Sequence, residues 1–94
     1  MEVLIEFQGI SRVITKSKKL PLDIKPDTTY RQIIQRLAVL YPGLVGEVIA
    51  KDQQTMLGSN MVSLNGKNML RPSDLENTPV DGDKLTIMSI LAGG

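Results

Sequence analysis

The chain has 94 residues, 41% of them apolar and 22% charged, with a formal net charge of +1. That length allows one small domain, which buries little more than about 60% of its unfolded surface. A charge so near balance gives no reason to expect nucleic acid or an anionic membrane as partner, and without Trp or His, and with Phe7 as the only phenylalanine, base-stacking platforms are not expected. The absence of cysteine excludes disulfides, thiolate metal sites and iron–sulfur clusters. No apolar run approaches the ~20 residues needed to span a bilayer. The chain starts directly on a strand pattern, so no signal peptide is expected and the cytoplasm is the expected compartment.

Glu2–Phe7 alternates as a strand, with Val3, Ile5 and Phe7 on one face and Leu4 on the other. Gly9 to Lys19 is more polar, and its cluster Lys16-Ser17-Lys18-Lys19 predicts a solvated turn or hairpin tip. Leu20, Leu22 and Ile24 alternate inward in a second strand, where Pro21 suits an edge because it has no N–H to donate. Strand, hairpin and strand form an antiparallel pair. Thr29 then predicts a helix N-cap, with Gln32 completing a capping box. The helix runs from about Tyr30 to Tyr41, with Ile33, Ile34, Leu37 and Leu40 on its apolar face and Arg31, Gln35 and Arg36 toward water. Pro42-Gly43 ends it.

Residues 44–60 carry no clear pattern; Val45, Val48 and Ile49 suit one helical turn, and Lys51–Thr55 a loop. Met61–Leu64 reads as a strand that ends in the Asn65-Gly66 turn signal. Arg71-Pro72-Ser73-Asp74 and Asp81-Gly82-Asp83 mark further turns, and Lys84–Leu91 reads as the last strand. Hairpin, crossing helix and further strands on one sheet make an α+β, β-grasp arrangement. The expectation is a mixed sheet of four to five strands with one main helix packed on one face.

No side-chain constellation supports catalysis. Most nucleophile–base pairs need the missing Cys or His, and no Gly-x-Ser-x-Gly, Walker or Gly-x-Gly-x-x-Gly motif occurs. No metal-ligand spacing is present either. The distinctive feature is the tail. The last strand runs into Ala92-Gly93-Gly94, so a carboxylate sits on an arm of residues without bulky side chains. Four extended residues reach roughly 13 Å. The Gly94 carboxylate is therefore the expected reactive group, with Gly93, Ala92 and Leu91 as its flexible tail.

The stretch from Val62 onward resembles the MoaD/ThiS family of small ubiquitin-like sulfur carriers, and MoaD-type members above all. The resemblance rests on Val62-Ser63-Leu64-Asn65-Gly66-Lys67, Thr78-Pro79-Val80, Asp81-Gly82-Asp83, Leu85-Thr86-Ile87 and Gly93-Gly94. Where many members carry prolines before the tail, this chain has Ser89-Ile90-Leu91.

The resemblance implies a single ubiquitin-like β-grasp domain over 1–94, with its first and last strands parallel at the centre of the sheet. It implies a carrier, not an enzyme, that binds no cofactor of its own. An adenylating enzyme of the ubiquitin-activating type would use ATP to activate Gly94, and a sulfur donor would convert it to a thiocarboxylate. The acceptor would be a molybdopterin precursor in a MoaE-like synthase subunit. The free carrier would be a monomer.

If Leu85 and Ile87 face the core, then Thr86, Met88 and Ile90 face outward with Leu4 beside them, and these four form the expected docking patch. Three alternatives remain open: sulfur transfer for thiamine or tRNA thiolation, a protein modifier joined to lysine through Gly94, and a passive β-grasp interaction module.

Overall fold

The computed structural model describes residues 1–89. The order of elements is β1 (Glu2–Phe7), α1 (Ile10–Thr15), β2 (Lys19–Asp23), α2 (Tyr30–Leu40), a 3-10 turn (Pro42–Leu44), β3 (Asn60–Leu64), β4 (Asn68–Met69), a second 3-10 turn (Pro72–Asp74) and β5 (Lys84–Ser89). The five strands form one mixed sheet in the order β2-β1-β5-β3-β4. β1 and β5 are its parallel central pair, and β2 and β3 flank them antiparallel.

The core lies between one face of this sheet and α2. Val3, Ile5 and Phe7 of β1, Leu22 of β2, Val62 of β3 and Leu85 and Ile87 of β5 are all buried there. Against them α2 sets Tyr30, Ile33, Ile34, Leu37 and Ala38. Leu40, expected on the same stripe, is exposed; it is the last helical residue. Arg31 is half-buried rather than free in water. Its guanidinium donates to the Glu76 carboxylate and to the Gln54 carbonyl, so it holds two loops against the start of α2.

The N-terminus of α2 is capped as its residues predict. Thr29 Oγ1 accepts from the Gln32 amide (3.1 Å), and Gln32 Oε1 accepts from the Thr29 amide (2.9 Å). Thr29→Ala removes one half of this reciprocal cap and should cost about 1 kcal/mol. In a domain of this size that lowers the thermal midpoint by about 4–8 °C, which calorimetry would show.

The connection between β1 and β2 corrects the sequence expectation: it is the helix α1, not a hairpin tip. Gly9, at φ 63°, turns the chain out of β1, and Lys16, in the left-handed region at φ 55°, ends the helix. Ile10, Val13, Ile14 and Thr15 are β-branched and form helices poorly on their own. Packing overrides that preference. Ser11 is buried, and Ile14 lies against the 3-10 turn so closely that a Cβ on Gly43 would sit 3.1 Å from Ile14 Cγ2.

Residues 44–60 form a plug of turns rather than a regular helix. Leu44, Val48 and Ile49 are buried, and the Leu44 carbonyl accepts from the amides of Glu47, Val48 and Ile49. Burial of each such side chain stabilises the fold by about 1.5–3 kcal/mol.

Two tight turns fix the start of β5. Asn65 (φ 54°) and Gly66 (φ 69°) make the left-handed pair in the three-residue loop, 65–67, that joins β3 to β4, and the Lys67 amide closes the turn on the Leu64 carbonyl (3.0 Å). The Asn65 side chain then reaches β5: its Oδ1 accepts from the Lys84 amide (2.8 Å), and its Nδ2 donates to Asp83 Oδ1 (2.9 Å). Asp83 is buried, and its Oδ2 also accepts from the Val80 amide (2.8 Å). Asp83→Ala would remove the partner of both donors, each part-buried, and should cost about 2 kcal/mol. The readout is a thermal midpoint lower by about 10 °C or more.

Candidate functional site

β5 is paired on both sides, and its direction decides where the chain leaves the sheet. Because β1 and β5 are parallel, both run toward the same end, and α1, which follows β1, sits at that end. The Gln8 amide donates to the Ile87 carbonyl (3.0 Å), and the buried Ser11 Oγ reaches the same carbonyl (3.3 Å) while donating to Gln8 O (2.8 Å). Across the strand the Ser59 and Ser89 hydroxyls lie 3.0 Å apart. The root of the tail is therefore held from both flanks up to Ser89. Ile90, Leu91, Ala92, Gly93 and Gly94, which include the expected reactive residue, lie outside the described residues.

The sheet face away from α2 holds the expected docking residues Leu4, Thr86 and Met88, but not as one cluster; Ile90 lies outside the described residues. Pairing sets its residues in rows across the strands. Pro21, Leu4 and Lys84 share one row. Lys19, Glu6, Thr86, Ser63 and Met69 share the next. Met88 and Met61 stand opposite each other in a third. Leu4 therefore lies beside Lys84 and not beside Met88, from which it is four residues away along the sheet, or about 13 Å.

Thr86 needs the larger correction. It is on this face, yet only 5% exposed, so it is not part of an accessible patch. It is a short side chain on a central strand, set between Glu6 and the likewise buried Ser63 in its row. Met88 is half-buried.

The apolar residue that stands next to Met88 is Met61, with Met69 further out on the edge strand β4. Neither was among the expected docking residues. Alternation along Met61–Leu64 puts Met61 on the outward face once Val62 is inward, but only the register of β3 on β5 sets it against Met88.

The electrostatics of the other end are structural. The Tyr30 phenol is pushed above its ordinary range by burial first, and then by the carboxylates of Asp83 and Asp74. Asp74 is held below the usual carboxylate range, chiefly because its carboxylate accepts from the Arg71 amide (2.8 Å). Among the described residues no group of three His, Cys, Asp or Glu side chains is placed to hold a metal ion. No helix among them is long and apolar enough to cross a membrane.

This architecture recurs in solved structures over the full length of the chain. SAMP1 from Haloferax volcanii, a small archaeal modifier protein, superposes with a TM-score of 0.81 at 19% identity and full coverage of both chains. A chain of the BexX/CysO complex of Amycolatopsis orientalis matches with a TM-score of 0.71 at 26% identity, covering 98% of this chain and 99% of that one. A chain of the complex between subunits 1 and 2 of molybdopterin-converting factor from Helicobacter pylori matches with a TM-score of 0.63 at 19% identity, with both chains fully covered.

The fold is the ubiquitin-like β-grasp, a five-stranded mixed sheet with one main helix. No protein-family model matches the chain, and no curated protein matches it in sequence. Two of these three neighbours come from structures of protein–protein complexes.

Proposed function

We propose that this chain is a cytoplasmic sulfur carrier whose Gly94 carboxylate is the working group. The observation that carries the reading is the pairing of β5. A strand locked between β1 and β3, and pinned at Ile87, gives the five residues that follow Ser89 a fixed starting point. A partner that holds the sheet thereby fixes where those residues begin. Glycine at 93 and 94 adds reach without bulk.

A carboxylate is a poor electrophile. An adenylating partner of the ubiquitin-activating type would let its oxygen attack the α-phosphorus of ATP, expelling pyrophosphate and forming an acyl adenylate. Sulfide from a donor would attack that carbonyl, AMP would leave, and a thiocarboxylate would remain. The chain is then a cosubstrate and not an enzyme. In the MoaD-like version the sulfur goes to a molybdopterin precursor in a MoaE-like subunit; the Helicobacter pylori neighbour supports that version by its name.

The docking surface we propose is the Met88 and Met61 row, together with Met69 at the edge of the neighbouring row and Ile90 beyond Ser89. Methionine's flexible thioether suits a surface that meets several partners in turn. Leu4 belongs to a second contact point on the same face, and Thr86 packs beneath the surface.

Intact mass of the purified protein tests the reading. After incubation with the adenylating enzyme, ATP and a sulfur donor, the C-terminal peptide should carry one sulfur in place of one oxygen. The modifier reading, favoured by the likeness to SAMP1, predicts isopeptide adducts of Gly94 on lysines of other proteins instead. An unchanged mass and no adducts would leave a passive interaction module.

A further inference from the structure

We propose that α1 and the residues just after it form a second contact surface, which binds an acidic, partly apolar surface of the adenylating enzyme beside the channel that takes the tail. The inference rests on the carrier reading above and adds to it where the enzyme holds the sheet.

The first observation is which way α1 faces. Its inward side is Ser11, Ile14 and Thr15, spaced three and four residues apart. Its outward side carries Ile10 and Val13, which are 47% and 73% exposed. A helix packed on a core normally puts its apolar residues inward and its polar ones outward. Here a serine and a threonine face in, while an isoleucine and a valine face solvent. Nothing in α1's own packing requires them there.

The second observation is charge. Residues 9–19 contain four of the chain's eleven basic residues, Arg12, Lys16, Lys18 and Lys19, and no acidic one. All four are exposed, and none is in an ion pair among the described residues. Only Lys19 has an acidic neighbour in its row, Glu6. The chain as a whole carries only +1, so this positive field is local to one end of the sheet.

The third observation is position. α1 stands where β5 ends, with Ser11 bonded to the Ile87 carbonyl. Any protein that receives the residues after Ser89 approaches this end. The other macromolecular partners fit less well. A phosphate backbone matches the cations but offers nothing to Ile10 and Val13, and no aromatic ring is free to stack on bases: Phe7 and Tyr30 are buried, and Tyr41 packs edge-on against Phe7. A six-residue helix with two exposed apolar side chains buries too little to hold a membrane surface. A protein surface of carboxylates around an apolar patch satisfies both halves of the pattern.

Steady-state pyrophosphate exchange by the adenylating enzyme tests this, with the full chain as substrate. The double variant R12E/K18E should raise KM for the carrier about tenfold at low salt, leave kcat unchanged, and lose most of that difference at about 0.5 M salt, where the Debye length is only a few ångströms. Val13→Asp should raise KM at both salt concentrations, because it removes an apolar contact. Unchanged thermal midpoints would show that both variants fold.

KM values within twofold of the unsubstituted chain for both variants would overturn the proposal. Failure of the carrier reading looks different: the unsubstituted chain would support no exchange, or exchange that survives loss of Gly94. In that case the amide spectrum of the full chain, titrated with the enzyme without ATP, still decides the matter. Broadening at residues 10–18 supports the contact. Its absence, or its appearance only with anionic phospholipid vesicles or a single-stranded oligonucleotide, refutes it.

Discussion

A chain that stops at Gly93 should fold as the full chain does and support no detectable ATP-dependent activation. The deletion touches none of the buried residues described within 1–89, so the thermal midpoint should not move. Activation is another matter. Removing one residue draws the terminal carboxylate back by about 3.3 Å from a sheet that the partner holds in place. A reacting atom misplaced by only 1 Å can cost about a hundredfold in rate. Adding a residue after Gly94 should be as damaging, since it puts an amide where the carboxylate belongs.

Gly93→Val tests the width of the arm rather than its length. A β-branched side chain thickens it and restricts its rotamers, so exchange should fall while the fold is untouched. The assay for all three is pyrophosphate exchange with the adenylating enzyme, beside a melting curve for each variant. Normal exchange by the shortened chain would remove the carboxylate from the mechanism and leave the passive module as the reading that survives.

The parts of the fold legible in the sequence were those fixed by local chemistry. Alternation named Val3, Ile5 and Phe7 as the inward face of β1, Thr29 with Gln32 marked the start of α2, and Asn65-Gly66 marked the turn between β3 and β4. The parts that were missed are set by distant packing. α1 is made of β-branched residues without a capping side chain, and it is helical because Ser11 bonds to Ile87 O, 76 positions along the chain, and because Ile14 meets Gly43. The plug at 44–60 has no period because its three buried residues sit in turns, Leu44 and Val48, or in an isolated β-bridge, Ile49.

The outward face shows the same division. Alternation put Leu4, Thr86 and Met88 on one side of the sheet, and they are there. Alternation carries no register, however, and register alone decides that Met88 meets Met61 and that Thr86 stands between Glu6 and Ser63.

That face-by-face division of β5 gives the sharpest contrast in stability. Ile87→Asp should unfold the protein, and Met88→Asp, one residue on, should not. Ile87 is buried between Phe7 of β1 and Val62 of β3, on the side that α2 covers. A carboxylate there finds no donor and costs several kcal/mol, on top of the lost apolar contacts. A small domain has only about 5–15 kcal/mol of stability to lose. Circular dichroism should show Ile87→Asp largely unfolded at room temperature, and Leu85→Asp should behave alike.

Met88 is half-buried on the opposite face, with Met61 across from it. An aspartate there keeps its water and gives up one side of a methionine pair, a loss of about 1 kcal/mol. Its larger effect should fall on partner binding, since a charge would replace an apolar contact at the proposed docking row. Calorimetric titration with the adenylating enzyme would measure that loss in a protein that still melts cooperatively. A Met88→Asp chain that fails to fold would show that this row supports the sheet itself, and docking would then have to rest on Leu4 and the α1 end.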